Sequence, residues 1–131
     1  MPPLTPGAYL KMRRCAACLS VADVAGKIAT APRLAEHARA ELIELIEADA
    51  APASFETIVV LGNVFWFDFD VLAALVRVAL GADLKLPCIC RICGCSDCDP
   101  CVQDVALVGA AVCEWVNVDL CSSCATPGVA P

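Results

Sequence analysis

Nine cysteines crowd into residues 88 to 124, whereas residues 19 to 87 contain none. The stretch "CICRICGCSDCDPC", residues 88 to 101, carries six of them in fourteen positions. A segment this short and this rich in thiols cannot bury enough apolar surface to hold itself together, so something other than a hydrophobic core must do so. The chain of 131 residues therefore reads as two parts, residues 1–86 and residues 87–131, dividing near Leu86 and Pro87.

The start, MPPLTPGAYLKMRR, lacks an apolar run between a basic end and a small-residue cleavage site. It does not read as a secretory signal, and the expected compartment is the cytoplasm. In a reducing compartment clustered cysteines point to metal ligation or redox chemistry rather than structural disulfides. An odd total of eleven also forbids complete pairing within one chain.

Residues 90 to 94, "CRICG", have the C-x-x-C-G form of a zinc knuckle, in which two thiolates converge from a tight turn and the glycine supplies its left-handed residue. "CSSC", Cys121 to Cys124, supplies a second pair. Four thiolates complete a tetrahedral zinc site and leave no position open to substrate. Between the pairs lie Cys95, Cys98, Cys101 and Cys113, enough for a second site. The expected ligands are thus Cys90, Cys93, Cys95, Cys98, Cys101, Cys113, Cys121 and Cys124, and the expected cofactor is one or two zinc ions. An iron–sulfur cluster is the second reading, because "CSDCDPC" has the C-x2-C-x2-C opening of a bacterial ferredoxin. Against it, the expected Cys-Pro is missing.

The first part reads as helical. Thr5 can cap a helix that starts at Pro6 and runs to about Cys18, and Ser20 with Asp23 forms a capping box for a second helix with Val21, Val24, Ala25 and Ile28 on one face. A third helix places Leu34, Ala38, Leu42 and Leu45 on one stripe, with Ile46 beside it. Ser54 can cap a fourth from Phe55. Asp70 can cap a fifth, VLAALVRVAL, which Gly81 should stop.

Charge limits the partners. The net charge of -6 opposes general affinity for nucleic acid, but residues 1 to 31 hold Lys11, Arg13, Arg14 and Lys27 against Asp23 alone, a net of +3. Any DNA contact is expected at those four residues, since Glu36, Glu41, Glu44, Glu47 and Asp49 make the third helix acidic. Hydrophobic residues make up 60% of the chain, yet Asp68, Asp70 and Arg77 interrupt the richest stretch, so no membrane span is expected. The apolar excess instead suggests self-association or a protein partner. Paired catalytic carboxylates, a His-containing triad and a phosphate loop are missing, and His37 reads as a solvated helix residue, so no enzyme is expected. Cys15 and Cys18 read as helix residues, not ligands.

Two resemblances extend this reading. "YLKMRR", "LSVADVAGKIA" and "IEADAAPASFETIVVL" resemble the phage-repressor (Cro-type) helix-turn-helix family over roughly residues 6 to 80, with the family's glycine after the first helix replaced by Cys18. The resemblance implies a five-helix bundle able to read double-stranded DNA. "CRICGCSDCDPC" and "CEWVNVDLCSSC" resemble a cysteine module of uncharacterised phage and prophage proteins, which implies that Cys90, Cys93, Cys95, Cys101, Cys113, Cys121 and Cys124 belong to the module and that Cys88 and Cys98 are additions. Trp115 is expected to pack over the metal cage. The expected protein is mainly α: a helix-turn-helix-like bundle followed by a small irregular metal-binding module. Its expected role is zinc-dependent, nucleic-acid-associated regulation in a bacterium or phage, and the alternative is a protein-interaction adaptor.

Overall fold

The computed structural model of the chain describes residues 4–28, 33–97, 99–105 and 109–125. It divides into two compact units, Met1–Leu84 and Lys85–Pro131. Among the described residues, the first unit holds α1 (Pro6–Ala16), α2 (Val21–Ala25), α3 (Glu36–Glu47), α4 (Phe55–Gly62) and α5 (Phe69–Ala79). The second holds β1 (Val102–Val105), β2 (Gly109–Val112), β3 (Trp115–Asn117), β4 (Leu120–Cys121) and the short α6 (Ser122–Ala125).

Helix starts follow local chemistry. Thr5 accepts from the Ala8 amide, Ser20 and Asp23 form a reciprocal capping box, and Ser54 accepts from the Thr57 amide. The fifth helix starts earlier than the sequence suggests. Asp68, not Asp70, caps it, because the Asp68 carboxylate accepts from the Asp70 and Val71 amides while its own amide donates to the Tyr9 hydroxyl at 2.9 Å. Burial of Tyr9 thereby couples the start of α5 to α1.

Helix ends share one device. After α1, α3 and α5 the chain turns left-handed at Cys18 (φ 60°), Asp49 (φ 59°) and Gly81 (φ 102°). In each case the next amide reaches back to a carbonyl five residues earlier: Leu19 to Arg14, Ala50 to Leu45, and Ala82 to Arg77. α1 accordingly stops at Ala16, so Cys18 lies in the turn rather than in the helix.

The core of this unit gathers Tyr9 and Leu10 of α1, Val24 and Ala25 of α2, Ile43 and Ile46 of α3, and Val71, Leu72 and Leu75 of α5. The apolar stripe of α3 is rotated from the expected one. Ile43 and Ile46 are buried, whereas Leu45 is 47% exposed. α1 crosses α3 closely at Gly7, where an added Cβ would lie 2.3 Å from the Ile46 carbonyl oxygen. Arg14 fixes the same contact, since its guanidinium donates to both carboxylate oxygens of Glu47 at 2.6 and 2.8 Å and to the Leu19 carbonyl at 2.8 Å. No helix among the described residues is long and apolar enough to cross a membrane.

The second unit is less irregular than expected. β1 and β2 form an antiparallel hairpin with Val102 opposite Val112, and β3 and β4 form another with Trp115 opposite Cys121.

Candidate metal centre

Each of these local structures delivers cysteines to one place. The first is the knuckle turn. The Cys90 amide donates to the Cys95 carbonyl at 2.8 Å, the Gly94 amide donates to the Cys90 carbonyl at 2.9 Å, and Gly94 takes φ 79°. That closed loop turns Cys90, Cys93 and Cys95 to one side. The second is the base of the β1–β2 hairpin, where Cys113 donates its amide to the Cys101 carbonyl at 2.9 Å, the next pair beyond Val102 and Val112. The third is the junction of β4 with α6, which carries Cys121 and Cys124.

Cys90, Cys95 and Cys121 form the buried centre, with Cys93, Cys101, Cys113, Cys124, Trp115 and Leu120 packed against it. Trp115 thus covers the cluster as expected, and its indole N–H donates to the Asp97 carboxylate. Arg91 joins the knuckle to the β3–β4 turn: its amide donates to the Asp119 carbonyl at 2.8 Å and its guanidinium to the Asp119 carboxylate at 2.6 Å.

Sulfur spacing decides what this arrangement can hold. Cys93 and Cys101 lie 3.6 Å apart, Cys93 and Cys121 3.8 Å, and Cys95 and Cys113 3.8 Å. A disulfide needs about 2 Å. A tetrahedron with metal–sulfur bonds of about 2.3 Å has edges of about 3.8 Å, so the Cys93–Cys121 and Cys95–Cys113 separations fit ligands of a common ion, while Cys93 and Cys101 bring two such sets side by side. Cys90, Cys93, Cys95 and Cys121 form one group of mutually close sulfurs, and Cys95, Cys101, Cys113 and Cys121 form another. Either could hold a metal ion.

Thiol ionisation favours a cation in the cluster. Burial pushes Cys101 up to about 12, and it raises Cys95 and Cys124 further. Burial also opposes ionisation of Cys121, but the Cys124 amide and neighbouring thiols donate to its sulfur and bring it down to about 6. At Cys90 the amides of Cys93, Cys121 and Ile92 likewise outweigh burial and lower the value. Burial thus opposes ionisation at Cys101, Cys95 and Cys124, while donated hydrogen bonds favour it at Cys121 and Cys90. All can ionise together only around positive charge.

The grouping differs from the simplest expectation. Cys121 joins the knuckle, but Cys124 belongs to neither group, and Cys95, a fully buried thiol, takes its place. Cys98 lies outside the described residues. Cys88 is exposed, as are Cys15 and Cys18, and no described cysteine is in a disulfide. Among the described residues, Cys90, Cys93, Cys95, Cys101, Cys113, Cys121 and Cys124 converge.

The four basic residues differ in exposure and partners. Lys11 and Lys27 are exposed, and Arg13 is half-buried with its Nε donating to the Trp66 carbonyl at 3.2 Å. Arg14 is a correction to the expected set. It is buried, and its hydrogen bonds to the Glu47 carboxylate raise its pKa above the ordinary value, against the cost of burial. Its charge is committed inside the protein.

In comparisons by sequence and by fold, no protein family, curated protein or solved structure matches the chain.

Proposed function

We propose that the chain is a zinc-stabilised, non-catalytic binding protein: the thiol cluster holds the C-terminal unit, and the helical unit makes the regulatory contacts. The observation that supports this most is the convergence of seven cysteines without a disulfide, at separations suited to tetrahedral metal. Zinc is favoured over an iron–sulfur cluster because the knuckle turn at Cys90–Gly94 suits a closed structural ion and the Cys-Pro that completes the ferredoxin spacing is missing. A bound ion completes its coordination within the chain, leaving no position for a substrate.

Charge disposition favours a protein partner over DNA for the helical unit. Arg14 is withdrawn into an ion pair, and Arg39 donates to the Ala25 and Leu34 carbonyls. Glu36, Glu41 and Glu44 of α3 are exposed and would repel phosphate. Exposed Phe55, Trp66 and Leu80 add apolar surface of the kind that protein contacts use. Nucleic-acid contact is the second reading, because Lys11 and Lys27 face solvent.

Duplex binding over a salt series separates the two readings. DNA contact requires that Lys11→Ala with Lys27→Ala weaken binding and lower the salt slope by about one per phosphate lost. The adaptor reading expects no salt-dependent duplex binding by the unaltered protein, and none to be gained by Glu41→Gln with Glu44→Gln. Zinc content of anaerobically purified protein tests the metal reading independently. Iron with matching sulfide would replace it by a cluster.

A further inference from the structure

The two four-sulfur groups are not separate. Cys95 and Cys121 belong to both, Cys90 and Cys93 only to the first, and Cys101 and Cys113 only to the second. Six sulfurs thus fall into two groups of four that share the Cys95–Cys121 pair, with Cys93 and Cys101, 3.6 Å apart, as outer ligands that two ions would draw apart. We propose that the cluster is a binuclear centre for two thiophilic divalent ions, bridged by the Cys95 and Cys121 thiolates. The proposal rests on the metal reading above and deepens it.

Three observations carry it. First, within each group all four sulfurs lie within 4.8 Å of one another, so neither tetrahedron needs a ligand from elsewhere. Second, burial follows the sharing. Cys95 and Cys121 are 1% and 0% exposed, as bridging sulfurs at the middle of a cluster must be; of the unshared sulfurs Cys90 is equally buried, whereas Cys93, Cys101 and Cys113 are only partly buried. Third, each group has a backbone amide aimed at an unshared sulfur: Cys95 donates to Cys93 Sγ at 3.5 Å, and Cys101 donates to Cys113 Sγ at 3.3 Å. Amide donors of this kind orient and stabilise a thiolate. Both ends of the cluster are therefore prepared for ligation.

Charge balance points the same way. One divalent ion among six thiolates would leave four negative charges in a largely desolvated cluster, whereas two ions leave two. One ion with fewer ionised thiols would fill only one group, leaving either the amide-supported Cys113 or the amide-supported Cys93 unused. Cys124 is packed against the cluster, its thiol in hydrogen-bond contact with Cys93, Cys121 and Cys90, but it lies outside both groups, so two ions would not need it.

The test uses the full chain purified with zinc. Elemental analysis should return two zinc ions per protein, and X-ray absorption at the zinc edge should show sulfur at about 2.3 Å together with a metal neighbour at about 3 Å. Exchange of zinc for cadmium-113 should give two resonances coupled through the bridging sulfurs. Cys124→Ser should keep both ions, while Cys113→Ser should lose the metal–metal signal. One ion per chain with no metal neighbour overturns the binuclear proposal and leaves the metal reading intact. So does loss of metal in Cys124→Ser with retention in Cys113→Ser, the pattern of a single Cys90–Cys93–Cys121–Cys124 site. Iron with acid-labile sulfide overturns thiolate bridging, and the absence of any metal overturns both readings.

Discussion

At the scale of residues, two side chains show how position changes the meaning of a sequence. Arg13 and Arg14 are adjacent and chemically alike, yet only Arg14 enters a buried ion pair with Glu47. Nothing local in "KMRR" separates them, because the distinction depends on which face of α1 meets the end of α3, 33 residues away. Glu47→Ala would leave the guanidinium buried and unpaired, and the expected cost is about 3 kcal/mol in denaturant unfolding of the helical unit. Cys18 is the opposite case. It is a cysteine at a helix end, and the structure gives it the left-handed conformation that glycine takes more easily. Cys18→Gly should stabilise the same unit by about 1 kcal/mol. Unchanged or lower stability would mean that the Cys18 side chain has a compensating role.

At the scale of elements, helix starts were legible wherever one side chain competes locally for an amide, as at Thr5, Ser20 and Ser54. The start of α5 was not, because "FDFD" offers two aspartates and the choice is made by Tyr9, which takes the Asp68 amide from 59 residues away. Asp68→Ala should cost about 1 kcal/mol, whereas Asp70→Ala, which removes only a charge in the first turn, should cost less than about 0.5 kcal/mol. Equal effects would show that capping is shared. On α3 the expected stripe holds in part: Ile46 is buried and Leu34, Ala38 and Leu42 are half-buried, but Leu45 is exposed and Ile43 takes an inward place, on the side where Gly7 of α1 approaches the Ile46 carbonyl. In the cysteine module, paired motifs made the ligand types visible. The hairpin β1–β2 was not, so neither was the pairing of Cys101 with Cys113 that follows from its register.

At the scale of the whole molecule, the two units are stabilised by different physics. Met1–Leu84 has a core of large apolar side chains, whereas the buried residues of Lys85–Pro131 are chiefly cysteines. Removing an ion from the second should cost it most of its folding free energy and leave the first with its own. Acid should act in the same direction, since ligation requires thiolates and protonation competes with the metal as pH falls. Residue-resolved amide hydrogen exchange, with and without a strong chelator under reducing conditions, measures this directly. A metal-held module predicts that the amides of Cys90, Gly94, Cys101 and Cys113 lose protection on chelation, while those of Tyr9, Val24 and Leu72 keep theirs. Protection unchanged at the four cysteine-module amides, or lost equally in both units, would contradict it.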